Sequence, residues 1–432
     1  MNARRVKFGD VVRLSKARSQ DPLADGIERY VGLEHLEPGD LRIRSWGSVA
    51  DGVTFTSMFQ PGQVLFGKRR AYQRKVAVAD FSGVCSGDIY VLETKDAQVL
   101  LPELLPFICQ TDAFFDHAVG TSAGSLSPRT NWTSLADFEF MLPPMDEQRH
   151  LIRLLLNAEV TRTAAEDAAT HSEKLRKSLL FETFDALQGD GTVRIPFLAT
   201  EIDCRWVKAR DAGQILMGRQ LSPKYKTGKN TRKYLRVANV FDGFIDTIDV
   251  NEMDFNESEF ATFRLQSGDV LLNEGQSREL VGRSAIFRDH IPDCCFQNTL
   301  IRFRPNEEVM SEFAHYYFQY CQYTSRFVQI SKQTTSIAHL GVQRFSEMNF
   351  PLVSIDAQKA IVDTLSAVVA VIPELKNRAK AASTIRNQVL MEGASRCVLT
   401  NPTPSKPTSA ICSPASSRPS QPTPPKNLKP AT

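Results

Sequence analysis

The stretch "DFEFMLPPMDEQRHLI", residues 137–152, is echoed by "EMNFPLVSIDAQKAIV", residues 347–362. Phe140 matches Phe350, Asp146 matches Asp356 and Gln148 matches Gln358, each pair 210 positions apart. Upstream, "QPGQVLFGK" from Gln60 corresponds to "QSGDVLLNE" from Gln266, and "RRVKFGD" ending at Asp10 to "CRWVKARD" ending at Asp211. The offset drifts from 201 to 210 along the chain, as loop insertions produce. Such self-similarity is read before any single element, because it sets the fold.

Each half follows one plan. A globular part of about 140 residues carries short β-rich runs, "GVTFTSMF" and "SGDIYVLE" in the first half and "RSAIF" and "NTLIRFRP" in the second, punctuated by Gly and Pro. A long helical segment follows. The first is expected from about Asp146 to Leu187, with Pro143 and Pro144 ahead of it, Asp146 as N-cap, Glu147 in the opening turn, and Gly189 and Gly191 closing it. A helix of that size is about 63 Å long and needs a partner along its length.

The second segment, from about Asp356 to Arg396, indicates the partner. Ile361, Leu365, Val368, Ile372, Leu375, Ala379 and Ala382 form a heptad seam. In the first segment Ile152, Leu156, Val160, Ala164, Ala168, Leu175 and Leu179 are expected on one side with looser spacing. Either the two stripes pack on each other or each helix is buried in its own domain. Pro373 should bend or restart the second helix. The fold class is therefore α+β: two similar mixed α/β domains joined by two long helices. After Cys397 a tail with nine of the 23 prolines and little apolar content is expected to be disordered.

At 432 residues the chain holds two or more domains, and its formal net charge of +3 means that any nucleic-acid surface is a local patch. Eight scattered cysteines without CxxC or zinc-type Cys/His spacing point to a reducing compartment. No apolar run reaches the ~18 residues a membrane span requires, and the start lacks a signal-peptide core, so a cytoplasmic protein is expected. Catalytic motifs are absent: no phosphate loop, no GxGxxG after a strand, no [DNS]PP[YFW], no GxSxG and no HExxH. The seven histidines fit no metal spacing.

What remains is charge in loops. "LFGKRRAYQRKVAVAD", residues 65–80, gathers Lys68, Arg69, Arg70, Arg74 and Lys75 with Tyr72 and Gln73 between two expected strands. In the second half "KYKTGKNTRK", residues 224–233, supplies Lys224, Lys226, Lys229 and Asn230, at a position not equivalent in the repeat. Charge runs are often only solvated faces. Here they sit with groups suited to reading base edges: Gln276, Ser277 and Arg278, and the polar connections "GTSAGSLSPRTNW", with Thr121, Ser122, Ser125 and Arg129, and "SKQTTSIAHLG", with Thr334 and Thr335.

The segments "RYVGLEHLEPGDL" from Arg29, "FQPGQVLFGKRRAYQRKVAVADFSGVCSGDIYVLE" from Phe59 and "LPPMDEQRHLI" from Leu142 resemble the specificity subunits of Type I restriction-modification systems, over residues 1 to about 396. The resemblance implies two target-recognition domains, at 1–143 and 191–353, each reading half of an interrupted double-stranded DNA site. The spacer helices, at 144–190 and 354–397, would pair as an antiparallel coiled coil with a pseudo-two-fold repeat; residues 398–432 form the tail. It also implies that this chain has no catalytic or metal site of its own. Two methyltransferase (modification) subunits would bring S-adenosylmethionine and methylate adenine, and restriction/translocase subunits would bring ATP and magnesium for cleavage, in phage defence. The competing expectations are a protein-binding scaffold and a subunit of a modification-only system.

Overall fold

The first strand, Arg4–Lys7, pairs antiparallel with Glu139–Leu142, setting Val6 opposite Phe140. In the second half Arg205–Lys208 pairs with Asn349–Leu352 in the same sense, setting Val207 opposite Phe350. The duplicated sequence is thus a duplicated register. This computed structural model describes residues 3–397, apart from 190, 199, 223–226, 290 and 335. The expectations for Lys224, Lys226, Thr335 and the tail lie outside the described residues.

The sheets repeat as well. In the first half a four-stranded sheet runs in the order Val12–Leu14, Ile89–Thr94, Val64–Gly67, Val76–Val78. In the second the order is Gly213–Met217, Leu300–Pro305, Val270–Asn273, Ser284–Ile286. Val64–Gly67 and Val270–Asn273 are buried throughout, as apolar runs covered on both faces must be. Beside each lies a second sheet with one parallel pairing, Arg29–Val31 on Gly83–Cys85 and Thr231–Leu235 on Cys295–Phe296.

The described residues divide into two compact units, 3–152 with 389–397 and 153–388. In the first, Leu36, Phe59, Leu65, Val91 and Cys85 fill the space between the sheets. In the second, Phe184, Phe303, Phe313, Phe318 and Phe350 form the core, joined by Ile361 and Leu365. The units divide within the long helices rather than at their ends, because most of each helix packs into the second unit.

Those helices are Met145–Ala186 and Ile355–Cys397. Each is locked at its start by one glutamine. Gln148 donates Nε2 to the carbonyls of Val99 and Pro143 and accepts the Leu101 N–H. Gln358 does the same with Glu308, Val353 and Met310. Both side chains are buried.

The expected seam of the second helix holds: Ile361, Leu365, Ile372, Ala379 and Ala382 are buried, Val368 and Leu375 half-buried. The helix runs unbroken through Pro373, correcting the expected restart. Pro373 lies on the outer face with Val371 and Glu374, which are exposed, while Ile372 next to it is buried in the seam.

The expected stripe on the first helix holds in part: Ile152 is buried and Ala168 and Leu179 are half-buried, but the other four positions are exposed. Leu156 is 40% exposed and Val160 65%, and Ala164 and Leu175 also face solvent. The buried line is Leu155, Ala158, Glu159, Arg162, Ala165, Ala169, Arg176, Leu180 and Phe184. Its charges are paired: Glu159 holds Arg162 at 2.6 Å and Arg386 at 3.0 Å, and Arg162 also holds Glu166 at 2.7 Å. Glu173 pairs with Lys376 at 3.7 Å, so within this unit rising numbers on the first helix meet falling numbers on the second. Among the described residues, no helix is long and apolar enough to cross a membrane.

Candidate nucleic-acid interface

In the first unit, the basic loop and the polar connection that the sequence nominated separately are one assembly. Residues 68–75 join the strands Val64–Gly67 and Val76–Val78, with a single 3-10 turn at Ala71–Gln73. Arg70 and Arg74 flank that turn at φ 52 and 56, left-handed positions that hold the loop in one shape. Against it docks a hairpin closed by two bonds between Ala123 and Arg129, each N–H on the other's carbonyl at 3.0 Å. Arg70 N–H donates to the Pro128 carbonyl at 2.7 Å and Thr130 N–H to the Lys68 carbonyl at 3.0 Å.

Asp88 clamps the two loops. It accepts from Arg129 Nε at 2.8 Å and from Arg69 Nη1 at 3.2 Å. Burial opposes its ionisation, but the two guanidiniums override that and hold the carboxyl below its ordinary range. Arg69 also donates to Ser127 Oγ at 2.9 Å.

Other cations of the basic loop also have partners within the protein. Arg74 is held by Asp112 at 2.6 Å and by the Gln110 carbonyl, and lies over the Phe115 ring. Lys75 donates to the Leu33 carbonyl at 2.7 Å. These two, proposed from sequence as contacts, have structural partners; a count of charges in a loop could not see acids and carbonyls brought from far along the chain. Arg70 and Tyr72 are exposed, and Lys68 rests on the Tyr90 ring at 4.6 Å. Gln73 is half-buried. Thr121 and Ser122 turn their hydroxyls back on the carbonyls of His117 and Ala118, capping the helix Asp112–Gly120, whereas Ser125 is exposed.

The second unit repeats the docking with other residues. Glu274 N–H donates to the Thr299 carbonyl and Leu340 N–H to the Glu274 carbonyl, as Lys68 and Thr130 do in the first unit. Gly275–Gln276 pairs with Ala338–His339, which pairs with Lys332–Gln333. Gln276, followed by Ser277 and Arg278, thus lies on one side of Ala338–His339, and Thr334, whose hydroxyl bonds across its own turn to Ile337, follows the strand on the other side. Where Arg69, Arg129 and Asp88 meet in the first unit, Glu274 and His339 meet here at 3.0 Å. The scaffold is shared and the chemistry at its tip differs.

Lys229 and Asn230 are exposed, and among the described residues no hydrogen bond or strand pairing ties them to this pair of loops. Their segment is anchored by Asp254, which accepts from Thr227, Gly228 and Thr231 and is lowered to about 2 by those bonds, led by the Thr227 hydroxyl. Sequence reasoning missed Asp88, Asp254 and Leu126, the exposed tip of the first hairpin. Their roles depend on tertiary partners; only Leu126, apolar amid a polar loop, carried a local signal.

Among the described residues no three His, Cys, Asp or Glu side chains converge as metal ligands. Cys85, Cys109, Cys204, Cys294, Cys295 and Cys321 are buried thiols, and burial pushes Cys85, Cys294 and Cys321 up to about 12.

Comparison with known proteins bears on this geometry. Residues 206–382 match the Type I restriction modification DNA specificity domain. The chain is 30% identical over 169 residues to the Type I restriction enzyme EcoDI specificity subunit of Escherichia coli; that match spans 36% of each chain, about a third of the relative's length. Among solved structures it is similar to the Type-I restriction-modification system S subunit from M. genitalium, with 14% identity, TM-score 0.57, and 90% of this chain and 95% of that one covered. A chain from a structure describing complex assembly and conformational transition of the type I R-M system gives 18%, 0.51, 90% and 97%. At these identities the structural likeness speaks for the fold, and the sequence likeness is confined to part of the chain: residues 206–382 are similar to the Type I restriction modification DNA specificity domain.

Proposed function

We propose that the chain is the non-catalytic, DNA-reading subunit of a Type I restriction-modification complex, each recognition domain reading one half of an interrupted site. The observation that carries this reading is the twice-built docking of a hairpin onto the loop after a central strand, with different side chains at each tip. A conserved frame with variable tips suits two unlike half-sites read by one protein. The opposite run of the long helices within the second unit is consistent with a paired spacer, and half-sites about one helical turn apart, roughly 34–36 Å, would then face one side of the duplex.

On this reading two modification subunits carry S-adenosylmethionine and methylate adenine, while ATP and magnesium act on restriction/translocase subunits. The contacts proposed are Lys68, Arg69, Arg70, Tyr72, Gln73, Arg74, Lys75, Thr121, Ser122, Ser125 and Arg129 in the first domain, and Lys229, Asn230, Gln276, Ser277, Arg278 and Thr334 in the second. Lys224, Lys226 and Thr335 stay in the proposal from sequence alone. The test is footprinting of the chain with its modification subunits on genomic DNA. A bipartite protected sequence is expected, and absence of any sequence preference would refute the reading. Arg70→Ala should reduce the log-log salt slope by about one unit, since one phosphate contact is lost.

A further inference from the structure

Leu126 is 91% exposed, at the tip of the turn that Ala123 and Arg129 close. The base of that turn is fixed by Arg70 N–H on Pro128 and by Arg69 on Ser127, so the leucine is presented by a held frame. The matching hairpin of the second unit also ends in an apolar residue: Ile337 is 43% exposed in a turn closed by Thr334 N–H on its carbonyl at 2.8 Å. One exposed leucine means little. The same placement in both docked hairpins, beside the same kind of loop, asks for a ligand.

Charge identifies the ligand class. No Asp or Glu lies between Asp116 and Asp137, nor between Glu312 and Glu347, while Arg69, Arg70 and Arg129 surround the first tip and Lys332 lies in the strand leading to the second. Ile248, between Asp246 and Asp249, and Leu23, between Asp21 and Asp25, are exposed apolar residues in acidic settings instead. Asp88 takes up part of the charge at the first tip and Glu274 pairs with His339 at the second, which leaves an apolar tip beside the exposed Arg70 in one unit and beside Lys332 in the other; such a tip fits a polyanion that exposes apolar atoms between its phosphates. In duplex DNA the apolar group on a major-groove base edge is the thymine methyl.

We propose that Leu126 and Ile337 are specificity residues, each packing on a thymine 5-methyl group in the half-site its domain reads; the proposal rests on the DNA-reading function above. The neighbouring Ser125 and Arg129 then serve polar edges and phosphates while the tip senses one methyl.

The test uses the full chain with its modification subunits, and duplexes in which each thymidine of the recognised site is replaced singly by deoxyuridine, which removes only the methyl. One position in each half-site should weaken binding about four-fold, the value of one buried methyl. Leu126→Ala should abolish that sensitivity in one half-site and Ile337→Ala in the other, with the salt slope unchanged. Retained sensitivity in either variant, or none in the unaltered protein, overturns the proposal. So would 2-aminopurine brightening that depends on Leu126, which would mean insertion between base pairs. An unaltered complex that protects no site fails the underlying function as well, a result distinct from protection without methyl sensitivity.

Discussion

Gln148 and Gln358 each commit a whole side-chain amide to three backbone groups at the foot of a long helix. Removing either leaves two carbonyls and an N–H buried without partners. Gln148→Ala and Gln358→Ala should therefore each destabilise by about 2–3 kcal/mol, in urea unfolding followed unit by unit. The sequence marked both residues, since each sits at the same place in the repeat. It did not mark His315, which is buried, faces Ser284 Oγ at 3.1 Å and is lowered to about 4. Burial is the main cause; Asp242 and Glu312 oppose it and Arg176 and Arg288 add to it. Between the ordinary 6.5 and about 4 the unfolded chain binds the extra proton, so stability falls as pH drops through that window, by about 3 kcal/mol in total. His315→Gln should flatten the curve there. Asp254, lowered to about 2, loses its contribution only in stronger acid, so the two are separable.

At the scale of elements, the first long helix shows where pattern reading failed. Its buried line contains Glu159, Arg162 and Arg176, and a search for apolar letters passes over charges that are neutralised in pairs. Isolated, such charges would not stay buried; together, Glu159, Arg162 and Arg386 satisfy one another. Arg162→Met should destabilise by about 3 kcal/mol because Glu159 and Glu166 lose it at once, whereas the triple replacement Glu159→Met, Arg162→Met, Arg386→Met should be near neutral or stabilising. Thermal unfolding of the two variants checks both signs. The second helix, whose seam is apolar, was legible. The docked hairpins were legible only as separate polar loops, because the bonds between Arg70 and Pro128, or Gln276 and Ala338, are far apart in sequence. Asp88→Asn should loosen the first hairpin, seen as faster amide exchange at Ala123 and Arg129, with the Gln276 pairing in the other unit unaffected.

For the whole molecule, the duplicated frame could be read from a few residues: Asp10 and Asp211, Gly62 and Gly268, Phe140 and Phe350. They lie where strand registers, turns and helix starts must be preserved. On the proposed function the bases recognised depend on the tips, and these were not legible: Arg69, Asp88 and Arg129 in one unit give way to Glu274 and His339 in the other. The central claim is that two domains of one frame read two independent half-sites. The most direct test is to sequence methylated adenines in cells that carry the modification subunits with either this chain or a chimera whose residues 1–140 come from a relative. The account predicts a bipartite motif in which the chimera changes one half and leaves the other intact. A change in both halves, or methylation indifferent to the chain, would contradict it.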